Sequence, residues 1–377
     1  AKTLTDLLNS GDPLAQQLRD GSVVTILGRA SMAESADPAI SVAAVIRAEL
    51  PHATFLPALR RGNVRGALDM GLAPGFLPGR VRIDNPSQAL LQKWTDVPKE
   101  QGLGTTEMLQ AAVAGKIETL VLLGADPLCD FPDRNLAAEA IQKVKTVVAI
   151  DNFVTASVAQ ADIVLPATAY GEQSGTTTNI EGRVSRVIQK ITPPGSTRDG
   201  WMIATELAWR LGGDLGLTSK DEIWREIEKV APSHTGITLE RVTSQETHEG
   251  ILVHESSIDL TLPSPQDTPI ADGYGLRLIS GRKLWDAATG TAHSPSLQHL
   301  AEPPTLKVHP SDLQRLGIPS GSEVRVISTR ATENLTAVAD SNIQRGTAVL
   351  PFNQPGGGAH RFIDATATIN DIRIETL

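Results

Sequence analysis

The strongest constraint on the fold is an alternation between residues 23 and 165, where short apolar runs free of charge are separated by stretches of helical periodicity. The runs at 23–27, 120–123 and 147–150 contain no polar residue except Thr25. Strands of that kind are buried on both faces, the pattern of a parallel sheet between two layers of helices. Residues 163–165 make a shorter strand of the same type and 53–56 a weaker one. Between them Met108, Leu109, Ala112, Val113 and Ile117 recur at helical spacing, as do Leu136, Ala140, Ile141 and Val144, so each set forms one apolar stripe on a helix. A third helix starts at Asp199, turns Trp201, Ala204, Leu207, Ala208 and Leu211 inward and stops at Gly212-Gly213. Ser219-Lys220-Asp221-Glu222 is a capping box that opens a fourth.

Past residue 230 the character changes. Pro, Ser, Thr, Asp and Glu dominate 231–275 without a sustained stripe, which reads as a linker. Short strands follow at 276–279, 324–327, 335–338 and 348–350, with Gly, Pro and Asn between them. They predict a smaller, mainly β, barrel-like domain over 276–377. The chain therefore divides into an α/β domain at 1–230, a linker at 231–275 and a β domain at 276–377. Two domains suit 377 residues, because single cores stop growing at roughly 250–300.

Charge and cysteine content exclude several functions. The formal net charge is −9 and no basic block stands out, which argues against a nucleic-acid partner. No apolar run approaches the roughly 18 residues of a membrane span. The single cysteine, Cys129, cannot make a disulfide framework, a Cys-ligated zinc site or an iron–sulfur cluster. With acidic neighbours it reads as a packing residue. The first residues carry neither an initiating Met nor a basic-then-apolar leader, as expected of a trimmed or fragmentary cytoplasmic protein.

Ligands of open α/β sheets bind beyond the carboxyl ends of the strands. Gly28-Arg29-Ala30-Ser31, Gly124-Ala125-Asp126-Pro127 and Asp151-Asn152 lie there. Glycine lets the backbone turn sharply or approach a ligand, and Asp126 and Asp151 could accept from ribose hydroxyls or a heterocycle N–H. Ordinary strand-to-helix turn chemistry accounts for the same residues. The G-x-G-x-x-G and G-x-x-x-x-G-K-[ST] fingerprints are absent, as is H-E-x-x-H, so no metal site is expected. The most distinctive stretch, 161–184, runs from a strand into a long polar Gly/Thr loop with Glu172, Asn179, Glu181 and Arg183, enough to orient a polar ligand or to join two domains.

That stretch, Ala161-Asp162-Ile163-Val164-Leu165-Pro166 through Glu181-Gly182-Arg183, resembles a motif common in the molybdopterin oxidoreductase superfamily. Residues 309–324 and 346–353 resemble parts of that superfamily's C-terminal dinucleotide-binding domain. Within it, 62–75, 102–109 and 121–127 look like the G-subunit family of bacterial NADH–quinone oxidoreductases, the respiratory complex I enzymes. The resemblance implies a parallel-sheet, Rossmann-like domain followed by a double-psi β-barrel. It also implies the C-terminal part of a longer protein, bound to other peripheral-arm subunits at the inner face of the cell membrane, with iron–sulfur clusters carried outside this chain. By residue matching, a pterin dinucleotide cleft falls on Gly124, Asp126, Asp151, Glu172 and Arg183, and on Gly281, Arg282, Thr289, Thr291 and Asn353. No metal-ligand Cys or Ser segment precedes the first strand, and the G-subunit family generally lacks a molybdenum centre. The expectation is therefore a cofactor-free scaffold that is not catalytic by itself. The alternatives are a fragment of a formate-dehydrogenase-like enzyme that binds molybdopterin guanine dinucleotide, or a plain nucleotide-binding module.

Overall fold

In the computed structural model, which describes residues 1–29, 31–94, 96–244, 248–254 and 275–377, every apolar run of the first half becomes a strand, but in two parallel sheets. β1 (Val24–Leu27) pairs with β2 (Thr54–Pro57). A short hairpin, β3 (Phe76–Leu77) and β4 (Val81–Arg82), follows. β5 (Thr119–Leu123), β6 (Thr146–Asp151) and β7 (Ile163–Pro166) then form a second parallel sheet with β6 in the middle. One face of that sheet, with Leu122, Val147 and Ala149, packs on the stripes of helices Thr105–Val113 and Arg134–Lys143 through Leu109, Ala112, Leu136 and Ile141. Asp133 caps the second helix by accepting the Leu136 N–H at 3.0 Å. Among the described residues the expected cover of the other face is not found: Val121 is 56 % and Leu123 61 % exposed there.

The polar stretch after β7 is only partly a loop. Gly175–Thr178 (β8) and Arg183–Val187 (β9) form an antiparallel hairpin, closed by Asn179 Oδ1 accepting from Glu181 and Arg183 N–H, with Gly182 at φ +89°. Three consecutive threonines favour a strand, since β-branched side chains suit a pleated surface. Helix Gly200–Arg210 starts after Asp199 as expected, but buries Ile203; Ala204 faces out, and Leu211 is left exposed where the helix ends. Ser219 caps helix Lys220–Val230 by accepting the Glu222 N–H.

Residues 231–244 and 248–254 depart from the linker expected at 231–275. They form a short turn of helix at Pro232–His234, helix Leu239–Thr243 and β10 (Ile251–Leu252), which pairs with β9. Ile237, Val242 and Val253 are buried against Val184 and Trp224, and Trp224 Nε1 donates to the Ile237 carbonyl at 2.7 Å. Sparse apolar residues in a polar background suffice because each meets the same small core. The rest of the expected linker, 245–247 and 255–274, lies outside the described residues.

Strands β11 (Leu276–Ile279), β12 (Thr305–Val308), β13 (Ser322–Ile327), β14 (Thr332–Ala339), β15 (Thr347–Val349) and β16 (Asp371–Thr376) close into a six-stranded barrel of order 11-15-12-14-13-16. Alternate residues such as Leu276, Leu278, Leu306, Val308, Val324 and Val326 fill its interior. The fold is thus mixed α/β with a closed barrel. The loop after β1 is built into that barrel: Ala33 is wholly buried in the barrel core, and Met32 N–H donates to the Ser280 carbonyl at 2.8 Å. Ser31 Oγ accepts the Ser280 N–H and Asn370 Nδ2 donates to the Ala33 carbonyl, both at 3.0 Å. Buried Asp133 adds an ion pair to Arg330 of the barrel at 2.7 Å. Among the described residues no helix is long and apolar enough to cross a membrane.

Candidate functional site

Parallel pairing brings the ends of β5 and β6 side by side, so Gly124 and Asp151 leave the sheet together. Gly124 has φ +55°, its N–H donates to the Ile150 carbonyl at 2.8 Å, and a Cβ added to it would meet nothing within 4 Å. A left-handed residue beside open space is a position that glycine alone fills without strain. Two cavities meet there. One of about 680 Å³ is walled by Arg29, Arg61, Thr105, Asp126 and Asp130, with Ile363 of the barrel domain on its far side. The other, about 470 Å³, is lined by Asn63, Asp151, Thr168, Ser174 and Thr176.

Asp126 is buried and accepts from Ser157 Oγ at 2.5 Å and Ser157 N–H at 3.2 Å, which fixes the turn into the short helix Pro127–Asp130. Asp151 Oδ1 accepts the N–H of Asn152 at 2.7 Å and of Phe153 at 3.3 Å. Glu172 accepts the Ala169 N–H at 2.8 Å, between Tyr170 and Gln173 of the second cavity wall. Arg183 lines neither cavity. The β8–β9 hairpin carries it onto the far strand, where it pairs with Glu181 at 3.3 Å.

From the barrel domain, Gly281 and Arg282 follow β11 and face the same helix. Arg282 Nη1 bonds Asp130 at 2.8 Å, its Nε bonds Asp286 at 2.7 Å, and its guanidinium lies 5.5 Å above the Phe352 ring. Burial alone would lower the Arg282 pKa, but the carboxylates of Asp286 and Asp130 raise it above the ordinary value. Asn353 Nδ2 donates to the Cys129 carbonyl at 2.9 Å. Burial, and then the nearby Asp126, push the Cys129 thiol up to about 12, so it is a packing group. Thr289 and Thr291 lie on the short helix Thr289–Ala292, and the next residue, His293, stacks on Phe153 with ring centroids 4.9 Å apart.

Gly124, Asp126, Asp151, Gly281, Arg282, Thr289, Thr291 and Asn353 are thus drawn to one seam. Asp130, Phe153 and His293, which join its sides, are not singled out by any sequence pattern. A large ligand with phosphates fits this seam on two grounds. Gly281, like Gly124, has open space where a Cβ would stand, and the buried atoms Ser280 Oγ, Arg282 Nη2 and Gln354 Oε1 around it have no hydrogen-bond partner. Buried donors without partners are rare unless something else satisfies them. Among the described residues no cluster of three or more His, Cys, Asp or Glu is placed to take a metal ion.

Residues 15–210 match the family model described as molybdopterin oxidoreductase, and residues 276–375 match the molydopterin dinucleotide binding domain. The F420-dependent formate dehydrogenase subunit alpha of Methanocaldococcus jannaschii is 30 % identical over 79 % of this chain and 47 % of its own length. The NADPH-Fe(3+) oxidoreductase subunit alpha of Geobacter sulfurreducens is 25 % identical over 85 % of this chain and 37 % of its own. The NADH-quinone oxidoreductase G-subunit 2 of Rhizobium meliloti is 29 % identical over 78 % and 34 %. Among solved structures, the acetylene hydratase of Pelobacter acetylenicus superposes with a TM-score of 0.55 at 20 % identity, over 74 % of this chain and 47 % of that one, a likeness of fold. The chain spans less than half the length of each of these relatives. The expectation of a cofactor-free scaffold is overturned: the two matched domains point to a molybdopterin guanine dinucleotide binding region.

Proposed function

The chain belongs to the molybdopterin oxidoreductase family, and we propose on that premise that it forms the region of a redox protein that holds a molybdopterin guanine dinucleotide between the β5–β7 strand ends and the barrel. The observation that carries this reading is Gly124, a left-handed glycine open to two cavities at the carboxyl end of a parallel strand. Gly124 and Gly281 let phosphate oxygens approach the backbone. Arg282, clamped by Asp130 and Asp286, ties helix Pro127–Asp130 to the barrel beside Gly281 and keeps the guanidinium charge at the seam. Asp151 uses Oδ1 in its own turn and offers Oδ2 to a base or ribose N–H or O–H. Asp126 and Asn353 brace helix Pro127–Asp130 between the two sides, and Thr289 and Thr291 lie on the short helix that leads into His293, which stacks on Phe153. When bound, the group supplies two-electron oxidation and reduction at its metal; these residues bind it, orient it and exclude water.

One setting within the family is a protein of the G-subunit type of NADH–quinone oxidoreductase, supported by the 29 % identity to that relative. Its partners would then be other peripheral-arm subunits at the inner face of the cell membrane, with iron–sulfur clusters outside these 377 residues. The 30 % identity to a formate dehydrogenase alpha subunit favours a second reading, a formate-oxidising enzyme. Molybdenum and tungsten by mass spectrometry, with fluorescence of acid-oxidised pterin, test the cleft on the complete protein from its native host. Stoichiometric pterin is expected, and folded protein without pterin would overturn the reading. Formate-dependent dye reduction would select the second setting, and co-purification with NADH-oxidising activity the first.

A further inference from the structure

Behind the second cavity a lysine–aspartate pair holds two of its wall hydroxyls. Lys220 Nζ bonds Asp199 Oδ2 at 2.6 Å and donates to Ser174 Oγ at 3.0 Å. Asp199 Oδ1 accepts from Thr168 Oγ1 at 3.0 Å, and Oδ2 accepts from Trp201 Nε1 at 3.3 Å. Ser174 and Thr168 both line the cavity, and Thr168 is almost fully buried. Four separate elements meet in this network: the end of β7, the loop before β8, and the starts of helices Gly200–Arg210 and Lys220–Val230. A cation in the first turn opposes the helix macrodipole, so Lys220 does not serve its own helix. Its contacts lie across the cavity wall.

Proton counting gives the network direction. An ammonium can only donate, so Ser174 Oγ accepts from Lys220 and its own O–H is left to point elsewhere. An ionised carboxylate can only accept, so Thr168 O–H is spent on Asp199 and its lone pairs remain. Asp199 stays ionised: burial would raise its carboxyl, but hydrogen bonds from Lys220 and Thr168 hold it below the usual range. We propose that the Lys220–Asp199 pair is a positioning device that fixes Ser174 as a donor and Thr168 as an acceptor on the cavity wall, and so selects a ribonucleotide that offers an oxygen acceptor to Ser174 and an O–H or N–H to Thr168. The identity of the ligand rests on the dinucleotide reading above.

Binding of guanosine diphosphate to the complete protein, prepared from cells unable to make molybdopterin and followed by calorimetry, tests the inference. Lys220→Met weakens binding about tenfold, Lys220→Arg restores it to within about threefold, and Lys220→Met/Ser174→Ala binds no worse than Lys220→Met alone. That pattern of rescue and non-additivity would not come from a general loss of packing. Should Lys220→Met fail to fold, Ser174→Ala alone, expected to lose about fivefold, carries the test. Unchanged binding by Lys220→Met, beside a loss in Asp151→Asn, overturns the positioning role and leaves the dinucleotide reading intact. No binding by the unsubstituted protein also overturns it, and the reading survives only if the same protein loads pterin when cells can make it.

Discussion

Acid should loosen the seam between the barrel and the sheet domain through a single histidine. His360 sits on the short helix Ala359–Arg361, is 4 % exposed, and its Nδ1 lies 2.8 Å from the Phe352 carbonyl, as a neutral ring that donates there. Burial lowers its pKa, the Phe352 carbonyl partly opposes this, and the guanidiniums of Arg134, Arg361 and Arg282 lower it further, to about 4. In the unfolded chain the ring titrates near 6.5, so between the two values the unfolded state binds more protons and stability rises with pH. The contribution is complete above about pH 6.5 and is lost as pH falls towards 4. At about 1.4 kcal/mol per pKa unit, the loss from this group amounts to roughly 1.4 kcal/mol at pH 5.5 and about 2 kcal/mol at pH 5. Urea denaturation at pH 7.5 and 5.5, compared between the protein and His360→Gln, isolates this contribution, because the amide keeps a donor for Phe352 without titrating. The unsubstituted protein should lose about 1.4 kcal/mol more than the variant. The ring Cε1–H resonance should still be neutral at pH 5.5. Equal losses in the two proteins, or a ring that titrates near 6.5, would refute the assignment of buried neutral His360 to the seam.

Arg282→Met leaves buried Asp286 without its cation and should cost about 3 kcal/mol in urea denaturation; a loss below about 1 kcal/mol would show that the Asp130–Arg282–Asp286 clamp is not stabilising. Gly124→Ala forces a left-handed residue at about 1–2 kcal/mol and places a methyl at the mouth of both cavities, so pterin loading or guanosine diphosphate affinity should fall at least tenfold, whereas an unchanged ligand signal would move the site elsewhere. The native Cys129 thiol should resist a thiol reagent at pH 8 and react promptly in denaturant; rapid native labelling would contradict its raised pKa. Ala33→Asp puts a charge in the barrel core and should destabilise by several kcal/mol, read as a lower melting temperature of the whole chain rather than of one domain.

Local order was legible in the sequence because it depends on neighbouring residues. Runs without charge marked the five parallel strands β1, β2, β5, β6 and β7 but not the hairpins β3–β4 and β8–β9, stripes at three and four residues marked helices Thr105–Val113 and Arg134–Lys143, and Ser219 marked the start of a fourth helix. Strands β12 and β16 carry the same kind of signal, Thr-Leu-Lys-Val and Asp-Ile-Arg-Ile-Glu-Thr, but alternate charged with apolar residues and so look like polar connections until a barrel interior is there to receive Leu306, Val308, Ile372 and Ile374. Gly124, Asp126 and Asp151 could be named as strand-end candidates because the carboxyl ends of parallel strands converge by construction.

Partner choice was decided only in three dimensions. Asp130 and Arg282 are separated by 152 positions, and Asn135 reaches carbonyls 195 and 226 positions away, so no spacing in the chain relates them. Arg183 has the composition of a ligand group, yet the hairpin turn at Gly182 sends it to Glu181, while unremarked His293 is brought onto Phe153. The expected linker shows the same division: Ile237, Val242 and Val253 have no stripe of their own and become core because Trp224 and Val184 lie opposite. Sequence periodicity determines which face of an element is apolar, whereas the partner that covers that face, and the orientation of every polar group at the seam, follow from contacts between elements distant in the chain.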